Sequence, residues 1–378
     1  MKRHVSLLKD CHGSITVLMF FVMFLVVAVL AFVIDMAHVE VAKNEIQNAA
    51  DACALRGARA FLPDNIPLNG YYEDDPNPVS AKEQAQITIA DNKSDNTAFQ
   101  YPDTDLPQAD IEVGIWDYKG EVSGTRQLLP WEWPPPPEMW GKYIGPGISL
   151  PTKRSDSVSL GSVVMTLANV FGIATVDVHA RATAALSGVG KLEEGYAGSF
   201  PIAVDEDKVH AAGDIIFLSP DMEDVGGWTS LSEDPASAKE FKDLINHSKD
   251  NPEVWLDKWI SLQNGVACSA IKEAIDYYNT EKVSKGVYKL VPPVEVVFPV
   301  VQVDKFNQSA QVKGFMAATI DYFRDSNAPK DILIPGSDPP KYTGDCMIIL
   351  TVIQGSAGGL PGGGRWYGVL SPYPKLVE

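Results

Sequence analysis

Few residues of this chain stand at spacings that do chemistry. Its six histidines are His4, His12, His38, His179, His210 and His247. None forms His-x-x-x-His or sits in a metal-ligand cluster with Cys, so a zinc site is not expected. Asp156-Ser157-Val158-Ser159 approaches an Asp-x-Ser-x-Ser run, which sets two hydroxyls beside a carboxylate on one divalent ion, but Val158 takes a ligand position. Asp205-Glu206-Asp207 and Asp221-Met222-Glu223-Asp224 are acidic enough to gather Ca²⁺ weakly. Both lack the alternating acids and turn glycine of an EF-hand loop, so they read as solvated acidic surface. There is no Gly-x-Ser-x-Gly elbow, and the glycine-rich end lacks the Gly-Lys-Ser/Thr that cradles phosphate. The expectation is a protein that is not an enzyme, with no cofactor and no metal.

The informative residues are apolar. Val17 to Ile34 are all apolar, and Ile15 and Thr16 extend the run. A helix rises about 1.5 Å per residue, so about 20 residues cross a hydrocarbon core of about 30 Å. A signal-peptide core is shorter and ends in a small-x-small cleavage site. Ala28-Val29-Leu30-Ala31 offers such a site only from inside the run, so residues 14–34 read as an uncleaved transmembrane helix rather than a cleaved signal. Lys2, Arg3 and Lys9 precede it, with Asp10 the only acid, while Asp35, Glu40, Lys43 and Glu45 follow. Basic residues collect on the cytoplasmic side. Residues 1–13 are therefore expected in the cytoplasm and nearly all the rest outside, on a single-pass chain. Asp35 reads as an interfacial residue at the membrane exit rather than a buried pairing partner.

The helix should not stop at the membrane. No Gly or Pro interrupts residues 14–56, and Pro63 ends the pattern. Val39, Ala42, Ile46, Ala49 and Cys53 recur at alternating three- and four-residue spacing and form one stripe. Ala50, Ala54, Gly57, Ala58 and Ala60 add small side chains that let another backbone approach closely. The stripe reads either as packing on the chain's own globular part or as a helix-packing and oligomerisation face for another subunit.

At these residues the chain resembles a known family. Gly13, the apolar span, Ile34-Asp35-Met36-Ala37 and then Gln47-Asn48-Ala49-Ala50-Asp51-Ala52-Cys53-Ala54-Leu55-Arg56-Gly57-Ala58 are similar to the N-terminal module of TadG-like proteins. These belong to the Tad (tight adherence) system that assembles Flp pili in bacteria. Ile111–Asp117, Phe171–Ala182, and Val297–Val301 with Val312–Phe315 resemble later segments of longer members more weakly. A pilin precursor is cut after a glycine and carries Glu five residues beyond the cut. Counted from Gly13 that position is Leu18, so the resemblance implies a permanent anchor rather than a filament subunit.

Charge and cysteines narrow the setting. Removing Lys2, Arg3, Lys9 and Asp10 from 31 basic and 49 acidic residues leaves 28 and 48, a formal charge of −20. That disfavours nucleic acid and anionic lipid surfaces as partners. Cys11 lies on the cytoplasmic side. Cys53, Cys268 and Cys346 lie outside, where disulfides persist, and Cys268 with Cys346 is the favoured pair. Cys53 reads as a small buried hydrophobe on its stripe, with an intersubunit bridge as the alternative.

The exterior reads as α+β in two lobes. Residues 35–62 extend the helix and complete a module over 13–62. Residues 63–190 form the first lobe and 191–354 the second, with a boundary in the Gly and Glu stretch 188–198. Residues 355–378 form a Gly-rich tail, read as mobile. In the first lobe 80–92 suits a helix, 110–118 a strand, 162–171 a helix and 174–186 a strand. A Pro-rich loop, 130–151, carries Trp131, Trp133 and Trp140 around four prolines; it reads as a stiff surface loop packed on the body, or as a docking peptide. In the second lobe 214–218 suits a strand, 235–247, 252–262 and 267–279 suit helices, and 294–303, 310–322 and 346–353 suit strands. By resemblance, the chain is expected in the bacterial inner membrane as a non-enzymatic component of Flp-type pilus assembly or a related secretion apparatus. Other assembly components would be its partners, and it would form a possible homo-oligomer through the N-terminal helix. The alternative is a membrane-anchored surface adhesin or cell-wall-binding protein, resting on exposed Trp and Pro and an acidic surface.

Overall fold

The computed structural model describes residues 12–64, 66, 71–72, 75–100, 105–208, 211–218, 226–235, 237–263, 268–303, 306, 308–328, 346–358, 360 and 362–377. The architecture is α+β. A 48-residue helix, α1 (His12–Arg59), precedes α2 (Pro78–Ala90), α3 (Ala238–Ile245), α4 (Cys268–Tyr277) and numerous strands. No Gly or Pro interrupts residues 14–56, and α1 runs unbroken for about 70 Å. Past Gly57 it unwinds. Arg59 in the last turn donates to the carbonyls of Leu62 and Pro63 at 3.0 Å each, and these bonds close the chain reversal. The start of α2 is set by Asn77, whose side chain accepts from the N–H groups of Val79 (3.0 Å) and Ser80 (3.1 Å), with Pro78 at the first helical position. A short polar cap before a proline with preset φ is a favourable helix start. Ala81, Ala85 and Ile89 form its buried face.

The chain divides into two compact units. One comprises residues 1–54, 83–111 and 150–182; the other comprises 55–82, 112–149 and 183–378. In the first, two small hairpins accompany α1. Lys93–Ser94 pairs with Thr97–Ala98 through Asp95 and Asn96, both at positive φ (50° and 62°). Two left-handed residues make the tight turn whose twist matches a hairpin, and Asp and Asn tolerate it best after Gly. Val163–Val164 pairs with Thr175–Val176, and a 3₁₀ turn, Ala168–Phe171, fills the loop between them.

The second unit is built, among its described residues, on a 13-stranded sheet. Its spine is the antiparallel pair Val287–Val301 and Ser309–Arg324, continued on one side by Met347–Ile353. Both faces are covered. Phe298, Met316 and Ala318 pack with Trp228, with Phe241 and Ile245 of α3, and with Ile271 of α4. Their neighbours Val297, Phe315 and Ala317 pack on the opposite side with Phe306, Leu262 and Val312. A strand alternates its side chains between faces, so two buried faces require a run that is apolar at every position. A capping box starts α3: Ser237 accepts from the Glu240 N–H and Glu240 accepts from the Ser237 N–H. Cys268, the first residue of α4, is joined to Cys346 by a disulfide with Cα atoms 5.6 Å apart.

Three segments differ from their sequence reading. Residues 162–171 do not form an α-helix: Val163–Val164 is a strand and only Ala168–Phe171 coils, as a 3₁₀ turn stopped by Gly172 at φ 86°. Residues 252–262 are strands Val254–Trp255 and Trp259–Gln263 about a turn at Asp257 (φ 63°), because Trp259–Ser261 pair with Ser309–Gln311 across the sheet. The Gly-rich end is not a loose tail: Gly355–Ala357, Gly362–Tyr367 and Val369–Leu370 are sheet strands with Trp366, Tyr367 and Leu370 buried. Its glycines answer to close pairing. Gly188 and Gly364 face each other, and a Cβ on Gly364 would strike the Val189 carbonyl while one on Gly188 would strike that of Arg365. Residues 188–198 contribute strands Gly188–Val189 and Lys191–Leu192.

Candidate functional site

Along the apolar run, α1 is exposed on every side. From Val17 to Ile34 the large side chains are all exposed, and the helix is long and apolar enough to cross a membrane. From Asp35 onward one side disappears. Ala42, Ile46, Ala49 and Cys53 are fully buried and Val39 is half-buried, with Ala50, Ala54 and Ala58 widening the stripe towards the helix end. The chain's own fold therefore covers the small-residue face.

Within the first unit a collar of polar bonds surrounds the helix below this point. At its top sits Asp35, 2% exposed. Its carboxylate accepts three backbone N–H bonds from the start of the 3₁₀ turn: Thr166 at 3.1 Å, Leu167 at 2.8 Å and Ala168 at 2.5 Å. Removal from water raises the pKa of this carboxyl, but the three donors, with a smaller contribution from His38, outweigh that and hold it below its usual value. Charge-assisted bonds of this kind are the stronger ones, and they satisfy the three amides that open the turn. Asp35 was expected as an interfacial residue without a buried partner. It is instead buried and hydrogen-bonded, because the 163–176 hairpin brings three converging amides to it.

One turn further, His38 Nε2 lies 3.4 Å from the Asp95 carboxylate in the tip of the first hairpin. The other Asp95 oxygen meets the guanidinium of buried Arg154 at 3.3 Å, and the Asp95 N–H donates to Glu45 at 2.7 Å. Thr152 Oγ1 donates to the Ile46 carbonyl at 3.0 Å, and Gln47 donates to the Arg181 carbonyl at 3.1 Å. Five helix positions, Asp35, His38, Glu45, Ile46 and Gln47, are thus tied to four other places in the same unit: residues 166–168, Asp95, Thr152 and Arg181. The signal for Asp35 lay in the sequence: it precedes Val39 by four residues and continues the 39-42-46-49-53 stripe in phase.

Cys53 ends that stripe. Burial, reinforced by the charge of Asp91, pushes its thiol up to about 12, so it stays protonated and unreactive. Asp156-Ser157-Val158-Ser159 does not converge on a point. Asp156 accepts from Ser162 at 2.8 Å, Ser157 faces Ser155, and Ser159 bonds Asp105 through both its N–H and its hydroxyl. Among the described residues no three His, Cys, Asp or Glu side chains gather as a metal set. In the second unit Asp205 is buried rather than solvated, and desolvation raises its pKa above the usual value. Glu206 accepts from the Tyr367 hydroxyl at 2.7 Å. Asp221–Asp224, Cys11, His4 and His210 lie outside the described residues. The Pro-rich loop packs on its own unit: Trp131 stacks on Phe61 (centroids 5.3 Å apart), Trp133 meets Trp366 edge-on at 5.5 Å, and Trp140 meets Trp366 at 5.0 Å.

The arrangement is a set of hydrogen bonds and ion pairs between the helix and its own unit. It fixes the position and rotation of a helix whose other half is bare and apolar. Residues 13–60, almost the whole of α1, match the Tad family, described as "Putative Flp pilus-assembly TadE/G-like". No curated protein and no solved structure matches the chain.

Proposed function

We propose that this chain, whose long helix is a Tad domain, is a membrane-anchored, non-enzymatic component of Flp pilus assembly or a related secretion apparatus. The observation that carries the reading is the coincidence of the match, residues 13–60, with α1, His12–Arg59. Residues 14–34 cross the inner membrane with the N-terminus in the cytoplasm. That orientation follows from Lys2, Arg3 and Lys9 before the run. The rest of the chain lies outside and meets other assembly components. Since the small-residue stripe is covered by the chain's own fold, contacts with membrane-embedded partners or further copies fall to residues 15–34. The acidic exterior fits a protein partner better than nucleic acid. The adhesin alternative drew on exposed tryptophans: Trp255 and Trp259 are exposed, whereas Trp228 and Trp366 are buried and Trp131, Trp133 and Trp140 are packed in a ring ladder.

The test is genetic. A strain lacking the chain should lose surface filaments and adherence and regain both with the full chain restored. Unchanged filaments and adherence in the deletion strain would end the assignment.

A further inference from the structure

The hairpin 163–176 presents surface that its own unit leaves uncovered. Val164, Val170, Phe171 and Ile173 are all exposed; Val170, at 78%, is the most exposed large apolar side chain described, and Phe171 is at 67%. No charged residue lies between Asp156 and Asp177, in a chain with 21% charged residues. Isolated exposed apolar residues are ordinary, but an uncharged cluster on one loop marks an interaction surface.

What covers it follows from height along α1. The Asp35 carboxylate grips the amides of Thr166, Leu167 and Ala168, so the start of the 3₁₀ turn lies level with the first polar residue after the apolar run. A 3₁₀ turn of four residues spans only about 8 Å. The headgroup layer on each side of a bilayer is of similar depth, about 6 Å. The apolar tip therefore stands within reach of the boundary between headgroups and acyl chains of any bilayer that α1 crosses. Its uncharged character also suits zwitterionic as well as anionic lipid, whereas the acidic exterior would repel the latter.

We infer that Val170, Phe171 and Ile173 insert into the interfacial layer of the same bilayer, making the hairpin a second, shallow membrane contact beside the helix. This rests on the reading of residues 14–34 as the anchor. Two contacts fix tilt as well as depth, which a lone span does not.

The experiment uses the full chain with Cys11→Ser, reconstituted in phosphatidylethanolamine–phosphatidylglycerol vesicles. An environment-sensitive fluorophore is placed in turn through Phe171→Cys, Leu25→Cys and Lys93→Cys. The label at 25 reports the anchor and that at exposed Lys93 reports water. The expected result at 171 is blue-shifted emission, loss of intensity with lipids brominated near the glycerol end, and protection from aqueous iodide. If the 25 label is quenched by lipids brominated in mid-chain while the 171 label behaves like the 93 label, the inference is overturned and the anchor stands. If the 25 label is not quenched by any brominated lipid, the anchor itself fails and the inference fails with it.

Discussion

The two halves of α1 obey different rules with the same backbone. Between Val17 and Ile34 every position is apolar and every face is bare. Between Asp35 and Cys53 the small-residue side is buried, and the opposite side carries Glu40, Lys43 and Asn44, together with Val41, to solvent. A stripe is what water demands of a helix and uniform hydrophobicity is what lipid demands. The transition happens within one turn at Asp35. A uniform helix says where it is but not which way it faces. A striped one says which way it faces, and here the second half supplies the bearing for the first.

The comparison breaks most sharply at Ile46. Ile46→Asp removes a side chain with no exposure, a loss of about 2–5 kcal/mol, and adds the desolvation of a carboxylate. The first unit should lose cooperative thermal unfolding, while the change at exposed Val41→Asp shifts the midpoint by little. Leu25→Arg comes next. It leaves the collar untouched but costs about 3 kcal/mol at the centre of a span. The expected result is normal folding of the exterior with the chain shifted from the membrane to the soluble fraction. If Leu25→Arg fractionates like the parent, the two halves do not answer to different solvents. The smallest effect belongs to Asp35→Asn, which keeps the shape, replaces one of the two accepting oxygens by an NH2 that cannot accept, and weakens the bonds that remain. Amide exchange over 166–168 should accelerate while the sheet of the second unit is unchanged. The pH dependence has a definite sign. The folded carboxyl is held below the usual value of about 4, so its contribution is present above that value and is lost as pH falls through the lower, folded one. The protection of these amides, taken relative to the intrinsic exchange rate at each pH, should therefore fall towards acid in the parent and be flat in Asp35→Asn.

Much of the molecule was legible where local pattern and final environment agree. The long helix, its apolar run and its stripe come from uninterrupted periodicity, and the strands read at 294–303, 310–322 and 346–353 fall on Val287–Val301, Ser309–Arg324 and Met347–Ile353. Legibility failed where a distant partner decides. Residues 252–262 have helical composition, but Trp259–Ser261 are claimed by a strand fifty residues on. Residues 162–171 coil only around a carboxylate more than 130 residues earlier. Glycines near 362–364 look like slack and are instead demanded by backbone contact with Val189 and Arg365. Asp35 was misread because it was assigned to the end of the span, when its spacing already placed it at the head of the stripe.

The unbroken helix has a mechanical corollary. Each residue turns about 100° from the last, so locking Asp35 to Gln47 in a collar also locks the azimuth of everything before it. Counting back from Asp35, the residues on the far side from the collar are Val33, Leu30, Val26, Val22 and Met19. With neither Gly nor Pro between to act as a swivel, the collar works like a keyway on a shaft. It points one chosen row of side chains to one side of the apolar half, and any rotation of the collar about the helix axis would sweep that row through the same angle.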